Sequence, residues 1–82
     1  MLRFPLKEQI SCLRLSPNGG GGLCFAGSKG SGRISLWETL TGRLLGEVES
    51  AHYMDINDLD VSISGDLLIS GGKDFKVKVW IV

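Results

Sequence analysis

No stretch of this sequence reaches the roughly 20 consecutive apolar residues that a membrane-crossing helix requires. Its opening residues, Met1-Leu2-Arg3-Phe4-Pro5, lack the apolar centre of a signal peptide, and a lone Arg does not make a transit peptide. An intracellular, soluble chain is therefore expected. There is one histidine and no Cys-x-x-Cys pair, since eleven residues separate Cys12 from Cys24. That spacing offers no metal site, and neither metal nor cofactor is expected. Charge of either sign is missing in excess: nine basic residues offset nine acidic ones, so neither a nucleic-acid footprint nor an acidic tail is indicated.

Phosphate-binding loops are missing as well. Gly72-Lys73 is followed by Asp74, and Leu67 holds the place of a phosphate loop's first glycine. Gly27 to Gly32 lacks the GxGxxG order and joins two expected strands. Asp58 and Asp60 share the solvent-leaning face of a strand, opposite Leu59 and Val61, which reads as a wetted face before a cation site. Cys12 and Cys24 each fall on an expected strand and read as small buried thiols. They could face each other across a hairpin, where a reducing compartment would keep them open. No catalytic residue emerges, and an enzyme is not expected.

What is abundant is glycine, 12 of 82 residues, which suits short strands and tight turns. A chain of this length makes one small domain at most and buries only about 60% of its extended surface. Strands are expected at Ile10–Leu15, Leu23–Ala26, Arg33–Trp37, Arg43–Val48, Ile56–Val61, Leu67–Ser70 and Val77–Trp80. Between them lie polar turns. Ser16-Pro17-Asn18-Gly19 has Pro to preset φ and Asn-Gly to accept positive φ. The others are Gly27 to Gly32, Thr41-Gly42, Ser62 to Asp66 and Gly71-Gly72-Lys73-Asp74. This is an all-β chain of antiparallel meanders.

Four polar groups in the second half satisfy one another on paper. Trp80 has a single N–H that needs an acceptor when buried. Ser70 on the neighbouring strand accepts it and still donates. His52 accepts from Ser70 through one ring nitrogen and donates to Asp74 through the other. Such a chain ties a link, two strands and a turn together, so His52 reads as a framework histidine before a catalytic or metal-bound one.

The sequence also repeats. Ile10-x-x-Leu13-x-Leu15-Ser16 lies over Ile56-x-x-Leu59-x-Val61-Ser62, and Ile34-x-Leu36-Trp37 over Val77-x-Val79-Trp80. Trp37 and Trp80 stand 43 positions apart, within the roughly 40–45 residue period of WD repeats. The first unit is degenerate: Ala26 stands where Ser70 is, and no histidine precedes its first strand. His52, Ser70, Asp74 and Trp80, with Trp37, Glu38, Gly42, Gly71 and Gly72 as repeat-defining positions, resemble the blades of a WD-repeat β-propeller. Trp37-Glu38 approaches the name-giving dipeptide; Trp80-Ile81 departs from it, and Lys76 replaces the usual Thr.

Gly32-Arg33-Ile34-Ser35-Leu36-Trp37-Glu38, Thr41-Gly42-Arg43-Leu44-Leu45, Ala51-His52-Tyr53 and Ser70-Gly71-Gly72-Lys73-Asp74 together resemble one group more closely. These are the WD-repeat subunits of the nuclear complex that matures the large ribosomal subunit precursor. The resemblance implies a partial propeller of about two blades, with a leading segment at 1–9. A degenerate first blade covers 10–50, and a second blade at 51–82 lacks its last strand. It further implies a non-catalytic scaffold for ribosome biogenesis and rRNA processing in the nucleolus or nucleoplasm. Its partners would be proteins of a multi-subunit assembly complex, with no membrane and no small-molecule substrate. Contact with rRNA would be weak or indirect, through the basic stripe Lys73, Lys76 and Lys78, which otherwise reads as a solvated strand. The alternative is a general WD-repeat adaptor in signalling or substrate recruitment, or a truncated propeller fragment without a function of its own.

Overall fold

The alternation of apolar and polar residues becomes seven strands in the structure, a computed structural model that describes residues 9–16 and 22–82. They are β1 (Ile10–Leu15), β2 (Leu23–Ser28), β3 (Ile34–Glu38), β4 (Leu44–Val48), β5 (Ile56–Val61), β6 (Leu67–Gly72) and β7 (Val77–Ile81). Two antiparallel sheets result, one in the order β1-β2-β3-β4 and the other β5-β6-β7. Among the described residues no helix is long and apolar enough to cross a membrane. The leading segment to Glu8 and most of the Ser16-to-Gly19 turn lie outside the described residues.

Each central strand runs two residues further than the turn chemistry predicts. Gly27 and Ser28 belong to β2, and Gly71 and Gly72 to β6, leaving the second turn at Lys73 to Phe75. Two of these glycines mark close approach, not chain reversal. A Cβ on Gly27 would sit 2.7 Å from the Cys12 sulfur and 2.9 Å from a methyl of Ile56, and one on Gly72 would sit 2.6 Å from the His52 ring. At their other ends β3 and β4 begin one residue late, past Arg33 and Arg43.

The Ile-x-x-Leu spacing that recurs in both halves also has a structural cause. Strict alternation would put Ile56 and Leu59 on opposite faces, yet they are 0% and 1% exposed. A bulge between Ile56 and Asp58 adds one residue to β5 and turns both side chains inward; β1 has the same irregularity between Ile10 and Cys12.

The core lies between the sheets. Phe25 and Ile34 from the first sheet meet Ile56, Leu59 and Leu68 from the second, with Ala51 of the link between them. Burying each large side chain contributes about 1.5–3 kcal/mol. At the inner strands the Ser11 hydroxyl donates to the Ile56 carbonyl and lies 3.1 Å from that of Gly27. Arg14 and Asp58 pair at 3.1 Å, but in the open, where such a pair contributes at most about 1 kcal/mol. The far face of the second sheet is apolar too: Ile69, Val77, Val79 and Ile81 are all exposed. A sheet apolar on both faces is patterned to be stacked between neighbours.

The cysteines do not face each other. Cys12 pairs with Gly27 and Cys24 with Leu15, so the two side chains leave opposite faces of the hairpin. Both are free thiols, and burial pushes both above the usual thiol range, in Cys12 against a lowering by the Ser11 hydroxyl.

Two glycines on the first sheet should respond in opposite ways to one methyl group. Gly32 has φ +69, and a Cβ there would meet the His52 carbonyl oxygen at 1.8 Å, whereas Gly46 in β4 has open space. Gly32→Ala is expected to cost well over about 1 kcal/mol and Gly46→Ala to be tolerated. Urea unfolding midpoints measure both, and equal midpoints would contradict the packing of the link on Gly32.

Candidate functional site

The link from Glu49 to Asp55 carries the chain from the first sheet to the second, and its centre is buried. Ala51 and His52 are each 1% exposed. The His52 N–H donates to the Gly32 carbonyl at 3.1 Å, which aims the ring into the second sheet. There the Trp80 indole N–H donates to the Ser70 hydroxyl at 2.9 Å, and Ser70 stands 2.7 Å from Nε2 of His52. On the far side of the ring Nδ1 lies 2.9 Å from one Asp74 oxygen and 3.2 Å from the other. The acceptor-only carboxylate assigns the ring proton to Nδ1, so Ser70 donates to Nε2. Asp74 also accepts the backbone N–H groups of Tyr53 at 3.0 Å and Lys76 at 3.1 Å. One carboxylate thereby fastens the link to the β6–β7 turn.

Loss of water around Asp74 pushes its carboxyl upward. The Tyr53 N–H, the His52 ring and the Lys76 N–H outweigh this and hold it at about 2. The four residues singled out in the sequence thus come within hydrogen-bonding distance of one another. Gly72 supplies the space for the ring, and Gly71, with open space where a Cβ would stand, simply continues β6.

Serine, histidine and aspartate in this order also make nucleophilic catalytic triads. Access separates the two uses. Ser70 is 0% exposed and its oxygen already accepts the Trp80 N–H, so no acyl or phosphoryl group can approach it. Among the described residues no group of three His, Cys, Asp or Glu side chains is placed to hold a metal ion.

The first sheet shows what happens without the histidine. By strand register Ala26 takes the place of Ser70 and Ser28 that of Gly72, so the hydroxyl and the room for a ring are both gone. Ser28 bonds locally instead, 2.8 Å from the Ser31 hydroxyl and accepting the Arg33 N–H at 2.9 Å. Trp37, 5% exposed, packs between Cys24 and Leu44 by register. Glu38 accepts from the Thr41 hydroxyl, and Gly42 closes that turn with φ +74 and an N–H to the Glu38 carbonyl.

Sequence reasoning missed Asp55. Its carboxylate takes the Gly30 N–H at 2.6 Å and the Lys73 ammonium at 3.3 Å, and its carbonyl takes the Lys73 N–H. Partial desolvation opposes these contacts, which nonetheless lower its pKa. The available signal was an acid just before β5 and a lysine just before Asp74. The basic stripe breaks up accordingly: Lys73 is paired with Asp55, and Lys78 lies over the Trp80 ring at 5.9 Å from its centre. Asp58 and Asp60 are exposed, each accepting the next residue's N–H.

The WD domain, G-beta repeat family matches residues 42–80, from the turn before β4 to Trp80 in β7. Over 86 residues the chain is 34% identical to pre-rRNA-processing protein IPI3 of Eremothecium gossypii, covering 95% of this chain and 17% of that protein. It is 45% identical over 71 residues to WD repeat-containing protein 18 of Homo sapiens, covering 87% of this chain and 15% of that one. The solved WD40 repeats of RRP9 superpose with a TM-score of 0.83 at 23% identity, over 94% of this chain and 24% of theirs. That likeness concerns the fold. The chain spans less than a fifth of either relative's length.

Removing His52 should leave Ser70 with an unmatched buried hydroxyl. His52→Ala is expected to cost about 1–3 kcal/mol, and so is Ser70→Ala, which orphans the Trp80 N–H. The double substitution should cost less than the sum, since both break one chain, and strictly additive losses in urea unfolding would contradict it. Asp74 adds a pH dependence. Its folded pKa of about 2 lies below the ordinary 3.8, so its stabilisation is complete above the ordinary value and drains as pH falls toward 2. Acid unfolding of Asp74→Asn should show a shallower slope across that window than the parent chain.

Proposed function

Because the chain belongs to the WD-repeat family, we propose that it forms part of a non-catalytic propeller scaffold acting in the maturation of the large ribosomal subunit precursor. One observation carries this reading. Likeness to a protein named for pre-rRNA processing runs through 95% of the chain, well beyond the single repeat at 42–80, and so takes in both sheets. On this reading residues 10–50 and 51–82 are neighbouring blades, and the His52 framework is the joint that holds them in register. Its partners are proteins of an assembly complex in the nucleus. With basic and acidic residues in balance, Lys73 engaged by Asp55 and Lys78 drawn onto Trp80, any contact with rRNA runs chiefly through those proteins.

Affinity purification of the full-length protein that carries this chain tests the proposal. Large-subunit precursor rRNA and its assembly proteins should co-purify, and depletion should cause unprocessed precursor to accumulate. Recovery of a signalling or substrate-recruitment complex, with precursor rRNA absent and processing normal, would establish a general adaptor instead.

A further inference from the structure

The turns of this chain solve one backbone problem in two ways. The turns that follow β2, β3 and β5 place glycine at a left-handed residue: Gly30 and Gly32, Gly42, and Gly65. The β6–β7 turn places Phe75 there, at φ 66, with its side chain 99% exposed. A bulky residue in that conformation is strained, and an exposed phenyl ring recovers nothing from the interior of the fold. Among the described residues the other non-glycine positions of positive φ are Ser50 and Met54, at φ 52 and 79, and both lie in the link. Asp74 binds the Tyr53 N–H and Asp55 binds the Lys73 N–H, which draws link and turn together at one end of the second sheet. Tyr53, 79% exposed, and Met54, 48% exposed, stand on that end as well, beside an open groove of about 460 Å³.

Charge at this end narrows the occupant. The two carboxylates, Asp55 and Asp74, are each engaged by the contacts described above, and Lys73 is used by Asp55. Lys76 and Lys78 line the groove, and neither has a carboxylate partner among the described residues. The rim is cationic and the projecting side chains are apolar. Two lysines, one of them drawn toward Trp80, make too short a track for a nucleic-acid backbone in a chain of balanced charge.

We propose that Tyr53, Met54 and Phe75, with Lys76 and Lys78, form a docking surface for an acidic peptide segment carrying an apolar anchor. The proposal rests on the scaffold reading and names the face through which the scaffold holds a protein partner. Strain retained at Phe75 is then the mark of a side chain kept for contact.

The test uses the full-length protein, since two sheets alone leave an apolar face exposed. The probe is a fluorescein-labelled twelve-residue peptide of Asp and Glu with one central Phe, read by anisotropy at low and moderate salt. Binding that weakens with salt is expected, together with a loss of at least about tenfold in Phe75→Asn and in Lys76→Glu. Asn accepts left-handed backbone, so Phe75→Asn should leave the unfolding midpoint unchanged or raise it. A lowered midpoint would make Phe75 structural and overturn the proposal. Equal binding by both variants, no binding at all, or preference for oligo(U) RNA over the peptide would overturn it too. Co-purification of precursor rRNA by Phe75→Asn separates the two levels. If the peptide fails to bind while precursor rRNA is still recovered, the docking surface falls and the ribosomal reading stands.

Discussion

A tryptophan N–H that must find an acceptor inside the protein governs this structure. Trp80 finds it in Ser70, whose own proton needs a home, and His52 Nε2 provides one at 2.7 Å. The histidine then carries its proton on Nδ1 and donates that N–H to the Asp74 carboxylate. Every link creates the need that the next one meets, so the chain of bonds ends only at a carboxylate with capacity for backbone donors. That carboxylate takes two, from Tyr53 and Lys76, and so brings the inter-sheet link down on the turn. Remove any member and a buried polar group is left unmatched, which is costlier than never having built the network.

The two sheets show how such a network is lost as a set. Ala26 for Ser70 removes the acceptor, and Ser28 for Gly72 fills the space in which the ring would lie. Neither change alone would be neutral in a sheet still holding its histidine. Ser28 finds fresh partners in Ser31 and Arg33. The first sheet keeps its shape through apolar packing around Phe25, Ile34 and Trp37.

Much of this was legible because two signals agree. Period-two alternation placed seven strands, and polar turn residues separated them, as at Ser62 to Asp66, where the Ser62 and Ser64 hydroxyls close on the Asp66 carboxylate. The foursome was legible because each group's hydrogen-bonding capacity implies the next. Glycine misled: Gly27 and Gly71-Gly72 look like turns in sequence, but a missing Cβ also lets a sulfur, a methyl or a ring approach a strand. Composition does not distinguish these uses, because both depend on a neighbour from a distant part of the chain. The bulge at Ile56 and the clasp at Asp55 escaped for the same reason. Their partners, Gly72 and Gly30, are remote in sequence: β5–β6 pairing sets Gly72 beside Ile56, and Gly30 reaches Asp55 only when the second sheet folds onto the first.

The stretch matched as a repeat, 42–80, does not coincide with either sheet. It opens before β4, the outer strand of the first sheet, and ends at Trp80 in β7 of the second. The match therefore runs across the link between the two sheets, and His52 lies in its first third, where the chain crosses. This placement has an energetic consequence. Each joint brings its own core contacts and either its own hydrogen-bonded latch or none, so stability accumulates by nearest neighbours. A joint that loses its latch leaves the latch of the next one intact. The unequal halves of this chain are then compatible with one architecture: packing alone holds the sheet that lacks a histidine, and the joint at His52 adds a polar chain that fixes the register of link, strands and turn.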